Sequence, residues 1–436
     1  FSNSKSLQKV SLEGVPGHCV RRACESLDKD SPLESLSLFD LTPSEPEGPF
    51  RIKFSEAFRY LKVLNITCTA LDDACALDLA TLIETSETLR ELDASSSSIK
   101  DCGGIVIANS LRTNKALVKL ILSGNDLTSS SLVAFAEAMT INTTLEFLDI
   151  SDVEISAEDS KRLFDPKHDS VFRRTYITWN QNWLNELTAI LKRDNHMPQL
   201  HVDINSEFSP TDLTAFFDAL LSNRTVTELS FHPSGDMFDV FVDRLASLLE
   251  QTETIRNVYN HLGLGGSVPL SVEESYLTRL LNALKKNKSV EEFATYVSVI
   301  TLPLAVTIGE LLEANDTLTD LALCEYYSLD ADVAQAIANG LRYNCTLLEL
   351  RLHWEADVVE GMSDIWEALR RNKALLCPVA RFVTGRTADE SAARALKKAH
   401  RSRALVQELM KLTGKDEAGV REDIAAALCR AEHLSA

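Results

Sequence analysis

One segment of the chain occurs three times at a constant interval, and this interval constrains the fold more than any other feature. LRELDA starts at Leu89, LVKLIL at Leu117 and LEFLDI at Leu145, so each copy follows the previous one after 28 residues. The stretches between the copies carry apolar residues at the three- and four-residue spacing of a helix. Each unit is therefore a short strand followed by a helix, and no single unit can bury its own apolar face. The units must stack side by side into a solenoid.

The repeat pattern extends through most of the chain and then stops. The first apolar residue of each predicted strand marks one unit, and the markers are Leu7, Leu33, Leu61, Leu89, Leu117, Leu145, Phe172, Met197, Val226, Ile255, Val290, Leu318, Leu347 and Leu375. We therefore predict about 14 repeat units over residues 1–380. Beyond this point the period is lost, and residues 381–436 are predicted to form a helical C-terminal cap or tail. A docking role is the alternative for its basic residues Lys397, Lys398, Arg401 and Arg403.

The segment LVKLILSGNDL, from Leu117 to Leu127, contains the whole pattern LxxLxLxxNxL. This pattern resembles the ribonuclease-inhibitor class of leucine-rich repeats, which also forms the sensor domains of NOD-like receptors. The resemblance implies an α/β leucine-rich-repeat solenoid, a horseshoe with parallel β-strands on the concave face and helices on the convex face. It also implies a non-catalytic module or scaffold that recognises a protein partner on the concave face. Sensing in innate immunity, in the cytoplasm, is the specific role that it suggests.

Two other functions are compatible with the same fold. One is a GTPase-activating protein of the Ran-activator type. That family uses an arginine in an edge loop, and Arg51 is the candidate for it in this sequence. The other is a substrate-recognition subunit of a ubiquitin ligase. Arg51 lies in one of three segments that interrupt the period, residues 40–51, 165–178 and 261–272, and insertions of this kind form loops.

An asparagine recurs three residues before the strand marker in seven units: Asn114, Asn142, Asn223, Asn287, Asn315, Asn344 and Asn372. Asparagine tolerates the left-handed backbone conformation in which helices often end, so it suits the turn from helix to strand. Five of the seven also belong to N-x-S/T sequences, which are acceptors for glycosylation. Because Asn114 and Asn372 keep the asparagine without that sequence, we predict a structural role for the whole set.

Composition and charge exclude several classes of function. The formal net charge of −20 disfavours nucleic acid, whose binders carry basic patches, and favours a protein partner with a basic or mixed surface. The sequence has no apolar run long enough for a membrane span. The nine cysteines include no C-x-x-C pair, which favours a reducing compartment such as the cytoplasm. No catalytic or nucleotide-binding motif is present, so we predict no enzyme activity and no cofactor.

Alternate residues of a strand share one face, so an alignment of the units predicts which side chains line the concave surface. These positions are small and hydroxylic in the first half of the array and become aromatic and rich in histidine from the seventh unit. Exposed aromatic and arginine side chains contribute strongly to binding at protein interfaces. The predicted partner-binding residues are Tyr176, Trp179, His201, His232, Tyr259, His261, Tyr296, Arg351, His353 and Trp354.

Three of the aligned positions have side chains that can bind a metal ion. Asp203, His232 and His261 occupy equivalent places on successive strands, which lie about 4.8 Å apart. They could converge on Zn²⁺. Metal ligands normally need tighter geometry than a ladder of strands provides, so we interpret the row as a hydrogen-bonding or pH-sensitive surface and predict no metal site.

Overall fold

The computed structural model describes residues 6–16, 19–20, 32–41, 53–54, 58, 60–193, 197–204, 208–233, 238–261, 269–324, 330–352 and 361–433. The chain forms two compact units. The first comprises Phe1–Thr178 and Asn195–Leu200, and the second comprises Trp179–Asp194 and His201–Ala436. None of the described helices combines the length and the apolar composition that crossing a bilayer requires.

A sheet of seven strands in sequential order forms the first unit. Its strands are β1 (Lys9–Glu13), β2 (Ser35–Phe39), β3 (Val63–Thr67), β4 (Glu91–Asp93), β5 (Lys119–Ile121), β6 (Phe147–Asp149) and β7 (Thr175–Tyr176). All neighbouring pairs in this sheet are parallel. The described helices are α1 (Asp73–Thr85), α2 (Asp101–Leu111), α3 (Ser129–Met139), α4 (Ala157–Leu163) and α5 (Asp169–Phe172).

The second sheet also has seven strands in sequential order. They are β8 (Thr178–Trp179), β9 (Gln199–Ile204), β10 (Glu228–Pro233), β11 (Asn257–Asn260), β12 (Glu292–Tyr296), β13 (Asp320–Cys324) and β14 (Glu349–Leu352). The helices that alternate with them are α6 (Leu184–Lys192), α7 (Pro210–Ser222), α8 (Phe238–Gln251), α9 (Leu270–Lys286), α10 (Leu302–Ala314) and α11 (Ala331–Leu341). Strands β10 to β14 pair in parallel.

Both sheets have one buried face, because the apolar strand residues point to the same side. In β2 and β3 every second residue is buried and the residues between are half-buried. On the buried side of the second sheet, Phe231 of β10 packs against Phe217 of α7 and Phe241 of α8, with ring centroids 6.0 and 5.3 Å apart. The predicted α/β leucine-rich-repeat solenoid is therefore confirmed as the fold class.

The strand register also agrees with the predicted alignment. In the first sheet one row of paired residues runs Ser11, Ser37, Asn65, Asp93, Ile121, Asp149 and Tyr176. In the second sheet the corresponding row runs Ser230, Tyr259, Ala294, Ala322 and Arg351. Register matters here because a shift of one residue would move every outward side chain into the core.

Six of the seven recurring asparagines are buried and hydrogen-bonded to turn backbone, as predicted, whereas Asn372 is buried inside the helix Met362–Val383. Asn142 is 4% exposed. Its Nδ2 donates to the carbonyl oxygens of Leu111 and Asn114 at 2.7 and 2.9 Å. Its Oδ1 accepts from the amides of Thr144 and Leu145 at 2.9 and 2.8 Å. One side chain thus caps its own turn and connects it to the turn of the preceding unit.

The last predicted unit differs from expectation. Helix α12 (Met362–Val383) runs through Leu375, where the sequence pattern predicted a fourteenth strand marker. The predicted boundary between residues 380 and 381 therefore falls inside a helix. The reason is that the apolar run from Ala374 to Ala380 is too short for periodicity to distinguish a strand from a helix.

Three further helices complete the C-terminal part: α13 (Glu390–Ala399), α14 (Arg403–Thr413) and α15 (Glu417–His433). They share a small core with the end of α12, formed by Val379, Phe382, Leu396, Leu405, Val406, Leu409, Val420 and Ile424 among others. Three of their basic residues, Lys398, Arg401 and Arg403, contact the repeats. The Arg403 guanidinium lies 3.6 Å from the Glu291 carboxylate, and Lys398 Nζ donates to the Tyr343 carbonyl oxygen at 2.9 Å.

Of the three segments that interrupt the period, residues 165–178 are described throughout. This segment forms a 3-10 helix (Pro166–His168), then α5 and β7. Residues 42–52 and 262–268 lie outside the described part of the chain, so most of the first and third predicted insertions, including Arg51, are not described.

Candidate partner-binding face

A row of aromatic rings crosses four neighbouring strands of the second sheet on its outward face. His201 of β9 packs against His232 of β10, with ring centroids 4.6 Å apart. His232 stacks on His261 at 4.2 Å and an interplanar angle of 16°. His261 follows β11 directly and lies 5.7 Å from the ring of Tyr296, at the end of β12. His232, His261 and Tyr296 occupy equivalent positions in the parallel register, whereas His201 lies two residues before Asp203, which holds that position in the predicted alignment.

The two outer histidines of the triplet are held in the neutral form. Burial, followed by the nearby His232 and His261, lowers the pKa of His201 to about 4. Burial and then His232 also lower the pKa of His261 below its ordinary value. At neutral pH these imidazoles therefore act as hydrogen-bonding and stacking groups and carry no positive charge.

A second row, at the start of the strands, carries carboxylates. The register pairs Glu228 with Asn257, Asn257 with Glu292, Glu292 with Asp320, and Asp320 with Glu349. We call Glu228, Glu292, Asp320 and Glu349 the acidic row. The sequence analysis overlooked it, although the same alignment, read two positions earlier in each strand, would have found it.

Neighbouring polar groups partly neutralise the acidic row. The Arg351 guanidinium contacts Glu292 at 2.8 Å and Asp320 at 3.0 Å. The Tyr259 hydroxyl donates to Glu292 Oε2 at 2.9 Å. Arg351 thus contacts two of the four carboxylates, and among the described residues the row keeps an excess of negative charge.

Burial raises the free-energy cost of ionising carboxyl groups in the acidic row. Burial, and then the charge of Glu292, raise the pKa of Glu228 against the opposing hydrogen bond from Asn257. Burial likewise raises the pKa of Asp320, although Arg351 opposes the shift. A raised carboxyl pKa means that the ionised form is poorly solvated, so a further cation placed beside the row would be stabilising.

The structure brings most of the predicted site residues of the second unit together. His232, Tyr296 and Arg351 are exposed, and His201, Tyr259 and His261 are half-buried. The Tyr259 hydroxyl points toward the acidic row, and the three histidines form the ring row with Tyr296.

Other predicted site residues lie elsewhere. Trp179 is 1% exposed, so its prediction as a surface anchor is wrong. Trp179 lies three residues after Tyr176, so strict alternation places it on the opposite, buried face together with Ile177. Tyr176 is half-buried and belongs to the first unit, where it pairs with Asp149. His353 and Trp354 lie outside the described residues.

The group of metal-binding side chains in the structure differs by one residue from the row aligned in the sequence. Asp203 Oδ1 lies 3.8 Å from His201 Nε2 and 3.8 Å from His232 Nδ1. His261 is stacked on the far side of His232. Among the described residues, the group that could hold a metal ion here is His201, Asp203 and His232.

Comparison with known proteins finds solved structures that are similar to parts of the chain, but no matching family. No model of a protein family matches the chain, and no curated protein matches it. A leucine-rich-repeat protein of Legionella pneumophila, LegL7, is 14% identical over 70% of this chain and 96% of that chain, with a TM-score of 0.45. The C-terminal domain of tropomodulin from Caenorhabditis elegans is 17% identical over 44% of this chain and 93% of that chain, with a TM-score of 0.27. Actin-binding site 2 of leiomodin-1 is 19% identical over 44% and 90%, with a TM-score of 0.26.

Proposed function

We propose that the chain is a protein-recognition module that binds a basic segment of its partner on the outward face of the second sheet. The acidic row is the observation that supports this proposal. Sensing of the NOD-like-receptor type, GTPase activation, a ubiquitin-ligase role and a cytoplasmic location stay predictions from the sequence.

Arg351 shows what kind of group suits the acidic row. Its guanidinium lies between Glu292 and Asp320, with contacts of 2.8 and 3.0 Å to the two carboxylates. Planar guanidinium groups bind carboxylates through paired N–H donors, which gives direction as well as energy. Glu228 and Glu349, at the two ends of the row, offer the same chemistry to the arginine or lysine side chains of a partner.

The ring row supplies the apolar part of the same surface. Tyr296 is 40% exposed, and its ring is the neighbour of the His261 ring, with centroids 5.7 Å apart. Aromatic side chains beside carboxylates bind the aliphatic stems and charged ends of lysine and arginine through burial and cation–π attraction. A segment that alternates basic and apolar residues would therefore contact both rows.

The test is selection of random 12-residue peptides on the intact protein, followed by affinity measurement for the selected peptides. We expect the selected peptides to be enriched in arginine and lysine. The double variant Glu292→Gln/Asp320→Asn should weaken their binding by about tenfold or more, since truncating a central charged contact typically costs about 2 kcal/mol or more. Both substitutions keep an acceptor oxygen for Arg351 and Tyr259.

The matched control is Glu313→Gln/Asp218→Asn, which removes the same number of charges from exposed positions on α10 and α7. Its affinity should stay within about twofold of the wild type, because exposed charges at a distance are screened by salt. An equal loss of peptide affinity in the two double variants would contradict the proposal, and so would selected peptides without basic residues.

A further inference from the structure

We propose that His201, Asp203 and His232 form a binding site for a divalent transition-metal ion of the Zn²⁺ type. Two imidazole nitrogens and one carboxylate oxygen make up the ligand set, which is typical for Zn²⁺. The proposal goes beyond partner recognition and does not depend on it, because metal binding is measured on the protein alone.

The fold brings the three side chains together without a special loop. His201 and Asp203 are two residues apart on β9, so they point to the same face. His232 lies on the neighbouring strand β10. Asp203 Oδ1 is 3.8 Å from both His201 Nε2 and His232 Nδ1, and the three ligand atoms all lie within 4.8 Å of one another.

Small side-chain rotations would complete the site. Ligand bonds of about 2.0–2.2 Å at tetrahedral angles place neighbouring ligand atoms about 3.3–3.6 Å apart. The side chains of Asp203 and His232 are 49% and 44% exposed, so both can rotate toward the ion without displacing core residues. His201 is 14% exposed and supplies the fixed corner of the site.

The neighbouring hydroxyl of Ser230 orients His201. His201 Nδ1 lies 3.0 Å from Ser230 Oγ. In the tautomer that donates from Nδ1 to this oxygen, the Nε2 lone pair faces Asp203. Histidine ligands of metals usually make such a hydrogen bond through their other nitrogen, which fixes the ring and the tautomer. Three protein ligands leave a coordination position for water or for another side chain.

The experiment is titration of the metal-free full-length chain with Zn²⁺ against a chromophoric chelator, with Co²⁺ as a spectroscopic probe. We expect one tight equivalent of Zn²⁺. The bound Co²⁺ should show ligand-field bands without thiolate charge-transfer absorption, because the site has nitrogen and oxygen ligands. His232→Gln and Asp203→Asn should each weaken this equivalent at least 100-fold, and Ser230→Ala about 10- to 100-fold, the usual effect of losing an outer hydrogen-bond partner.

His261→Gln is the matched control, because His261 stacks on His232 but is not one of the three proposed ligands. It should change the Zn²⁺ affinity less than threefold. Thermal melting of every variant confirms that it is folded. The proposal is overturned by the absence of a Zn²⁺ equivalent, by a thiolate spectrum that survives His232→Gln, or by equal losses in His232→Gln and His261→Gln. Peptide binding is measured separately, so failure of the metal site would leave the acidic-row proposal standing.

Discussion

At four helix-to-strand turns, one buried asparagine side chain satisfies four backbone groups; these residues are Asn114, Asn142, Asn315 and Asn344. Asn315 Nδ2 donates to Leu284 and Asn287 carbonyl oxygens at 2.8 and 3.3 Å. Its Oδ1 accepts from the amides of Thr317 and Leu318 at 2.9 and 2.8 Å. A glycan on Nδ2 would occupy the side of the amide that makes these bonds, so attachment at this position is incompatible with the observed turn.

We expect Asn315→Ala to lower the free energy of unfolding by about 2–4 kcal/mol, because a buried backbone group left without a partner costs about 1–3 kcal/mol. Denaturant unfolding measures the change. Asn109→Ala is the control, since Asn109 is an exposed residue of α2. If Asn315→Ala lowers the free energy of unfolding no more than Asn109→Ala does, the turn does not need the side-chain amide of Asn315.

The acidic row makes a prediction about pH. The raised pKa of Glu228 means that the folded state binds more protons than the unfolded state, so this group lowers the free energy of unfolding as pH rises. Glu228→Gln removes that cost and keeps an acceptor for Asn257. We expect the variant to melt at a higher temperature than the wild type at pH 7.

The difference in melting temperature between Glu228→Gln and the wild type should shrink as the pH falls through the raised pKa of Glu228. It should vanish below the ordinary glutamate pKa of 4.5. Melting curves from pH 3.5 to 8 measure it. Glu313→Gln, at an exposed position of α10, should give no such trend. Greater stability of the wild type at pH 7 would contradict the assigned cost of burial.

Regular spacing was enough to predict the order and the register of the strands, but not the point at which the repeats end. Both the constant interval and the alternation of burial are visible in the sequence, and they led to the correct register from Ser11 to Tyr176. Two predictions failed for different reasons. Trp179 lies three residues after the outward Tyr176, so alternation itself places it on the buried face, where it is 1% exposed. Leu375 lies within the long helix α12, because its short apolar run does not distinguish a helix from a strand.

The C-terminal helices provide a test of the proposed cap. Leu409 of α14 is 1% exposed within the small core shared with α12, whereas Leu412 on the same helix is 39% exposed. Leu409→Ala should lower the free energy of unfolding by about 2–5 kcal/mol, the usual range for a buried leucine. Leu412→Ala should cost less than about 1 kcal/mol.

Truncation after Thr384 extends this test to the whole cap. It would uncover Val379, Phe382 and Val383, which are at most 4% exposed. We expect a lower melting temperature and self-association, because exposed apolar surface of this kind is an aggregation liability. A truncated chain that stays monomeric and melts at the temperature of the full chain would argue against a sealing role.

The net charge of −20 leads to the prediction of a partner with a basic or mixed surface, but it gives no position for the binding surface. The alignment of the units contains the acidic row from Glu228 to Glu349, and the register of the five strands agrees with it. The metal-binding group shows what an alignment does not give. Alignment by row selected His261, whereas the structure combines two residues of one strand with one of the next. Sequence periodicity gives the position along a strand, but distances between side chains depend on their rotamers.

The asparagine turns also give the solenoid a direction. Asn142 donates to the carbonyl of Asn114, Asn315 to that of Asn287, and Asn344 to that of Asn315, so each turn is bonded to the one before it in the chain. Synthesis on the ribosome delivers the units in this same order, from the N-terminus. We therefore expect each emerging asparagine to find its acceptors already in place, so that the nascent chain can fold by sequential addition while translation continues.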